Sequence, residues 1–118
     1  MNWQVRDGGV WVQAAQVSDL TSGPPVKLLL SPSMPGWKQR HDIEVFVIGG
    51  ANPLVLSSEC PHQGCPVDWK VERFGCPCHG SEFDAEGRVL NGPASKPLSR
   101  LQSSTEDGAL WIRIRDQA

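Results

Sequence analysis

Hydrophobic and polar positions along this chain follow strand periods rather than helix periods. Leu110, Ile112 and Ile114 alternate with Trp111, Arg113 and Arg115, the period of two of a half-buried strand. Asp107-Gly108 precedes them as a turn, and Leu98 to Ser103 is expected as the strand on its other side. Ile43 to Ile48 is β-branched and aromatic and ends at Gly49-Gly50, with Leu54-Val55-Leu56 as the returning strand. Val10-Trp11-Val12, continuing to Ala14 and Val17, predicts a first strand, and Ser18 to Pro25 a turn. Val26 to Leu30 predicts a buried strand. Ser31 to Gly36 is expected as loop, because Pro32 and Pro35 each lack a ladder donor. No amphipathic helix of useful length is present. The predicted class is all-β, an antiparallel sandwich or small barrel.

One stretch, about 58–98, breaks this pattern. It is rich in Cys, His, Gly and Pro and reads as a small subdomain inserted into a β base formed by about 1–57 and 99–118. The 118 residues suit one domain. Such a domain buries about two-thirds of its unfolded surface, so a staple or metal would help it. Gly 12 and Pro 10 agree with many turns.

The formal charge of −2 is spread along the chain without a basic stripe, so no nucleic-acid partner is expected. No apolar run approaches the roughly 20 residues of a membrane helix. No basic segment followed by an apolar one lies near Met1, so neither anchor nor signal peptide is expected in this chain.

All four cysteines, Cys60, Cys65, Cys76 and Cys78, fall within a stretch that also holds His62 and His79. Clustering of this kind points to a metal site rather than to a disulfide framework spread over the fold. The first box reads Cys60-Pro61-His62-Gln63-Gly64-Cys65 and the second Cys76-Pro77-Cys78-His79-Gly80-Ser81. Six candidate ligands exceed a tetrahedral shell. A zinc module commonly uses Cys-x₂₋₄-Cys or His-x₃₋₅-His spacing, and Cys60-x-His62 is tighter. Ser81 and His79, two residues apart on one loop, do not suggest a nucleophile and its base. His41, in the charged run from Lys38 to Asp42, reads as a solvated loop histidine. Trp3, Trp11 and Trp111 read as packing residues. Trp69, after the first box, is a candidate shield for the site.

The two boxes resemble those of Rieske iron–sulfur proteins, most closely the higher-potential kind of quinol-oxidising cytochrome bc and b6f complexes. The likeness extends to Pro66-Val67-Asp68-Trp69, Phe83-Asp84, Gly87-Arg88-Val89 and Gly92-Pro93-Ala94, and covers about Leu54 to Leu98. It implies the Rieske fold and one [2Fe–2S] cluster. Cys60 and Cys76 would ligate one iron, and His62 and His79 the outer iron. Cys65 and Cys78 would form a disulfide joining the loops. Ser81 would donate to a bridging sulfide. Gly64, Gly75 and Gly80 would allow close backbone approach and supply amides, and the Pro93 loop would cover the cluster. Two imidazoles in place of two thiolates raise the potential to roughly −150 to +300 mV, against about −400 mV for all-thiolate clusters.

One residue departs from the high-potential pattern. Those members carry a hydrogen-bonding tyrosine two residues after the serine; this chain has Phe83 and no tyrosine. The expected potential is therefore above that of ferredoxin-like Rieske proteins and below the highest members.

The implied function is one-electron transfer in a quinol-oxidising respiratory or photosynthetic complex. His79 would take the quinol proton, and no independent catalytic site is expected. The donor would be a quinol or a cytochrome b-type subunit, and the acceptor a c-type cytochrome or similar protein. The alternatives are a soluble Rieske ferredoxin or a small subunit of an oxygenase, reductase or arsenite oxidase. Ferredoxins of that kind lack the disulfide cysteines. A disulfide suggests an oxidising compartment, and the resemblance implies the extracytoplasmic face of an energy-transducing membrane if the chain is a truncated fragment. A soluble cytoplasmic protein is the alternative.

Overall fold

The computed structural model describes residues 2–20, 23–32, 42–49, 53–61, 65–78 and 80–114. These residues form three four-stranded antiparallel sheets, and their only helical piece is a 3₁₀ turn at Val17–Asp19. The first sheet has the order β1 (Trp3–Arg6), β2 (Gly9–Gln16), β12 (Ala109–Ile114), β11 (Ser103–Glu106). The second runs β10 (Arg100–Leu101), β5 (Leu54–Ser57), β4 (Ile43–Ile48), β3 (Val26–Leu30). The third is a meander of β6 (Asp68–Lys70), β7 (Arg73–Gly75), β8 (Glu82–Phe83) and β9 (Val89–Asn91).

Both hairpins of the first sheet turn on Asp-Gly. Asp7 and Gly8 have φ of 53° and 73°, and Asp107 and Gly108 have φ of 50° and 78°. Positive φ at both central residues is the type I′ signature, whose twist matches that of the flanking strands.

The second sheet is the middle layer, and its residue parity shows this. Val45, Val47 and Val55 pack with Val12, Leu110 and Ile112 of the first sheet. Their neighbours Phe46 and Leu56 point the other way, into a second cluster with Phe74, Phe83, Val67 and Leu98. Burial on both faces explains why Ile43 to Ile48 reads as a continuous apolar run rather than an alternation. Phe46 and Phe74 meet edge to face at 4.9 Å, and Trp69 meets Phe74 in the same way at 4.9 Å. Such pairs add about 0.5–1.5 kcal/mol beyond area burial.

Four sequence expectations change. β1 was not foreseen. Val26 to Leu30 is an edge strand, not a buried one; Lys27 and Leu29 are exposed, and Lys27 reaches out to Glu44 and Asp68. β2 ends at Gln16, and Val17 opens the 3₁₀ turn, donating its N–H to the Gly108 carbonyl at 2.9 Å. Leu98 to Ser103 is not one strand: the chain changes sheets at Gln102, leaving β10 on the second and starting β11 on the first. The paired alternation of β12 holds, with Leu110, Ile112 and Ile114 all buried. His41, Gly50 and Arg115 lie outside the described residues.

Candidate metal centre

The first box leaves the end of β5 and is closed at its base. Ser58 donates its N–H to the Glu44 carbonyl at 3.1 Å and accepts from the Val67 N–H at 2.7 Å. Glu59 bridges Pro66, and the Cys60 N–H donates to the Cys65 carbonyl at 2.8 Å. Cys60 therefore sits at a fixed point, 1% exposed.

The second box joins β7 to β8. The Cys76 N–H donates to the Ser81 carbonyl at 2.8 Å, and the Gly80 N–H to the Cys76 carbonyl at 2.9 Å. Gly80 has φ +80°, a backbone conformation that side-chain-bearing residues avoid. The Gly80 amide is thus used inside the loop. Cys76 is 4% exposed.

A disulfide between Cys65 and Cys78 joins the boxes, with Cα atoms 6.4 Å apart. Cys60 and Cys76 are left as free, buried thiols. Both belong to the second apolar cluster, with Phe83 and Ala94. His62, Gly64 and His79 lie outside the described residues. Of the expected ligands, the described structure thus contains the two thiols. Among the described residues no three His, Cys, Asp or Glu side chains converge.

Ser81 is fully buried. Its hydroxyl oxygen accepts a hydrogen bond from the Ala94 N–H at 3.0 Å. A hydroxyl carries one donor and two acceptor sites, so the O–H remains to be used. Among the described residues it has no acceptor, and buried donors are seldom left unpaired. Two buried free thiols, with a Ser81 O–H next to Cys76 that has no acceptor among the described residues, fit the sulfur-rich half of a binuclear iron centre. Phe83, wholly buried, offers no polar atom there. Pro93, joined to Gly92 by a cis bond, is exposed, while Ala94 beside it is buried.

An opening of about 360 Å³ lies against the second box, lined by Cys76, Pro77, Gly80 and Ser81 and flanked by Lys70 and Arg73. A larger one, about 710 Å³, lies beside Arg100 and Arg113 and contains no cysteine; the smaller holds the chemistry.

Behind the second box, Asp84 organises the turn to β9. Its carboxylate accepts from the N–H groups of Glu86 (2.9 Å) and Arg88 (2.8 Å) and from Arg88 Nε (2.8 Å). Burial pushes this carboxyl upward, but the hydrogen bonds from Arg88 and Glu86 outweigh it and hold Asp84 below the usual aspartate value. Gly87 in that turn has φ +84°, and a Cβ there would sit 3.2 Å from Leu56 and Leu98. Sequence reasoning missed Ala94 as a hydrogen-bond donor, since a backbone N–H has no letter. It also missed the contact of Phe46 with Phe74.

A family model for the Rieske [2Fe-2S] domain matches residues 10–103. Cytochrome b6-f complex iron-sulfur subunit 2 of Nostoc sp. (strain PCC 7120 / SAG 25.82 / UTEX 2576) is 41% identical over 66 residues, covering 54% of this chain and 37% of that one. The cytochrome b6-f complex iron-sulfur subunit of Chlorobaculum tepidum (strain ATCC 49652 / DSM 12025 / NBRC 103806 / TLS) is 33% identical over 79 residues, covering 64% and 44%. The chain therefore spans less than half the length of either relative. The crystal structure of the plasma membrane Rieske protein PetC3 from Synechocystis PCC 6803 superposes with a TM-score of 0.63 at 28% identity, covering 87% of this chain and 99% of that one.

Proposed function

The chain belongs to the Rieske [2Fe-2S] domain family, and from that premise we propose that it passes single electrons as the iron–sulfur domain of a quinol-oxidising respiratory or photosynthetic complex. It carries one Rieske-type cluster, which supplies one-electron redox chemistry. The ligands in this reading are the Cys60 and Cys76 thiolates and the His62 and His79 imidazoles. The observation that carries it is the pair of buried free thiols beside the Cys65–Cys78 disulfide. Residues 58–98 form the cluster-binding part and 1–57 with 99–118 the base. The third sheet, lying between β5 and β10 in the chain, supports this division.

The chain's own residues have distinct tasks. Cys60 and Cys76 hold the inner side within apolar packing, which excludes water. Ser81 would donate its O–H to a sulfide of the cluster. Such donors favour the more negative, reduced state and raise the potential. Gly80 supplies the turn of its loop, Gly64 the close approach in the other, and Pro93 covers the site. With its second ring nitrogen deprotonated, His79 would accept a hydrogen bond from the quinol hydroxyl there and take its proton as the quinol gives up its electron.

The partners in this reading are a quinol or cytochrome b-type subunit as donor and a c-type cytochrome as acceptor. We place the domain on the extracytoplasmic face, which the disulfide supports. Among the described residues no helix is long and apolar enough to cross a membrane.

Iron, acid-labile sulfide and a redox titration across pH test the reading together. The expected result is two irons and two sulfides per chain, and a potential that falls with rising pH above neutrality. Bound zinc without sulfide would sink the cluster reading. A potential flat into the alkaline range would sink proton transfer at His79 alone.

A further inference from the structure

Ser81 is held from two directions. Its carbonyl accepts from the Cys76 N–H at 2.8 Å, which fixes the backbone. Its hydroxyl oxygen accepts from the Ala94 N–H at 3.0 Å, which fixes the side chain. The second contact matters more for the O–H hydrogen. A serine hydroxyl free of contacts samples several staggered directions. An N–H on one lone pair turns the O–H away from Ala94. It also polarises the hydroxyl, because hydrogen bonds in series strengthen one another. Ser81 also lines the opening beside Cys76. Ala94 is 4% exposed and packs in the same cluster as Cys60 and Cys76, which keeps its N–H in place.

We propose that the Ala94 N–H is a positioning group that aims the Ser81 O–H at the cluster, so that the 92–94 segment sets the potential through that hydroxyl. This rests on the reading above that Ser81 faces the cluster. In this account the Ala94 N–H acts wholly through Ser81.

An amide-to-ester exchange tests it. Lactic acid in place of Ala94 removes the N–H and keeps the methyl group. The midpoint potential of the cluster-loaded protein is read with Ser81 intact, with Ser81→Thr and with Ser81→Ala. The ester is expected to lower the potential in the first two, by less than Ser81→Ala does alone. In the Ser81→Ala background it should produce no further shift. No shift with Ser81 intact overturns the proposal, and so does an equal shift in the Ser81→Ala background. If Ser81→Ala itself leaves the potential unmoved, the placement of Ser81 against the cluster is what has failed. A second measurement serves where the ester protein loses its cluster. Hydrogen exchange of the loaded protein, followed on peptides spanning Ala94, should be faster in Ser81→Ala than in Ser81→Thr or the parent chain. Equal protection in all three overturns the proposal.

Discussion

Phe83→Tyr adds one hydroxyl to a ring that is 0% exposed and packs in the same cluster as Cys60 and Cys76. Phe83 is registered against Phe74 in the third sheet, so the ring's origin is fixed by the β7–β8 ladder. The change forces a choice on the new phenol. Either its O–H finds a sulfur acceptor, or it stays buried and unpaired. A hydrogen bond to a charged acceptor is worth about 1.5–3 kcal/mol, and an unpaired buried group costs about 1–3 kcal/mol.

Only the part of that bond that differs between oxidised and reduced states moves the potential. If that part is about 1 kcal/mol, the potential rises by roughly 40 mV, since 59 mV corresponds to a tenfold change for one electron. The assay is a redox titration of parent and variant at one pH, paired with thermal unfolding. A rise of this order with little loss of stability is expected. An unchanged or lower potential in a folded, cluster-loaded Phe83→Tyr protein would refute the reasoning. An accompanying drop of several degrees in Tm would show that the hydroxyl lies unpaired.

Four other outcomes follow from the geometry. Replacing Cys65 and Cys78 together by serine opens a crosslink of sequence separation 13, so urea unfolding should show a loss of about 3 kcal/mol and iron should be released faster to a chelator. Asp84 is held below its usual value when folded, so its stabilisation is complete above about pH 4 and is lost as pH falls below that, through the folded value. Acid unfolding of Asp84→Asn should therefore show a flatter dependence below about pH 4 than the parent; matching curves would remove Asp84 from the account. Val71 is β-branched, 89% exposed and at φ 52°, so Val71→Gly should relieve about 1–2 kcal/mol of strain against about 0.5–1 kcal/mol of lost chain entropy, a small net gain in urea. Gly87→Ala has the opposite sign, since φ is +84° and Leu56 and Leu98 stand 3.2 Å from the new Cβ; a loss of about 1–3 kcal/mol is expected, and a neutral result would count against the turn as described.

Much of the site was legible because its chemistry is carried by letters. The paired Cys/His spacing is a signal that packing and turns do not generate, and the bridged pair in the structure, Cys65–Cys78, is the one the resemblance implied, with Cys60 and Cys76 left free. The fold was legible where one face was buried, as in Leu110, Ile112 and Ile114. It was less so where the sheet context decides. Trp3 to Arg6 is too short to show a period, and Asp7-Gly8 was the signal available for it, the counterpart of Asp107-Gly108. Val26 to Leu30 looked buried because a run of apolar letters does not say which strand is at the edge. Nothing in Gln102 marks a change of sheet. Its backbone carbonyl and side chain receive Arg113 at 2.9 and 3.0 Å, a partnership 11 positions distant in sequence.

The middle sheet connects these two kinds of legibility. Val45 and Val47 belong to the base, while Phe46 between them belongs to the cluster side. One strand therefore supports both packing layers, and its continuous apolar run is the trace of that double duty. The Cys60 loop begins at the end of the neighbouring strand, and its first hydrogen bond, from the Ser58 N–H, goes to the Glu44 carbonyl of β4. The thiol's position is thus referred to a strand buried on both sides, the least mobile kind of element in a small β fold. A site that must change charge without changing shape gains from being anchored there. Exposed edge positions fall instead on β3, at Lys27 and Leu29, and on β9, at Leu90.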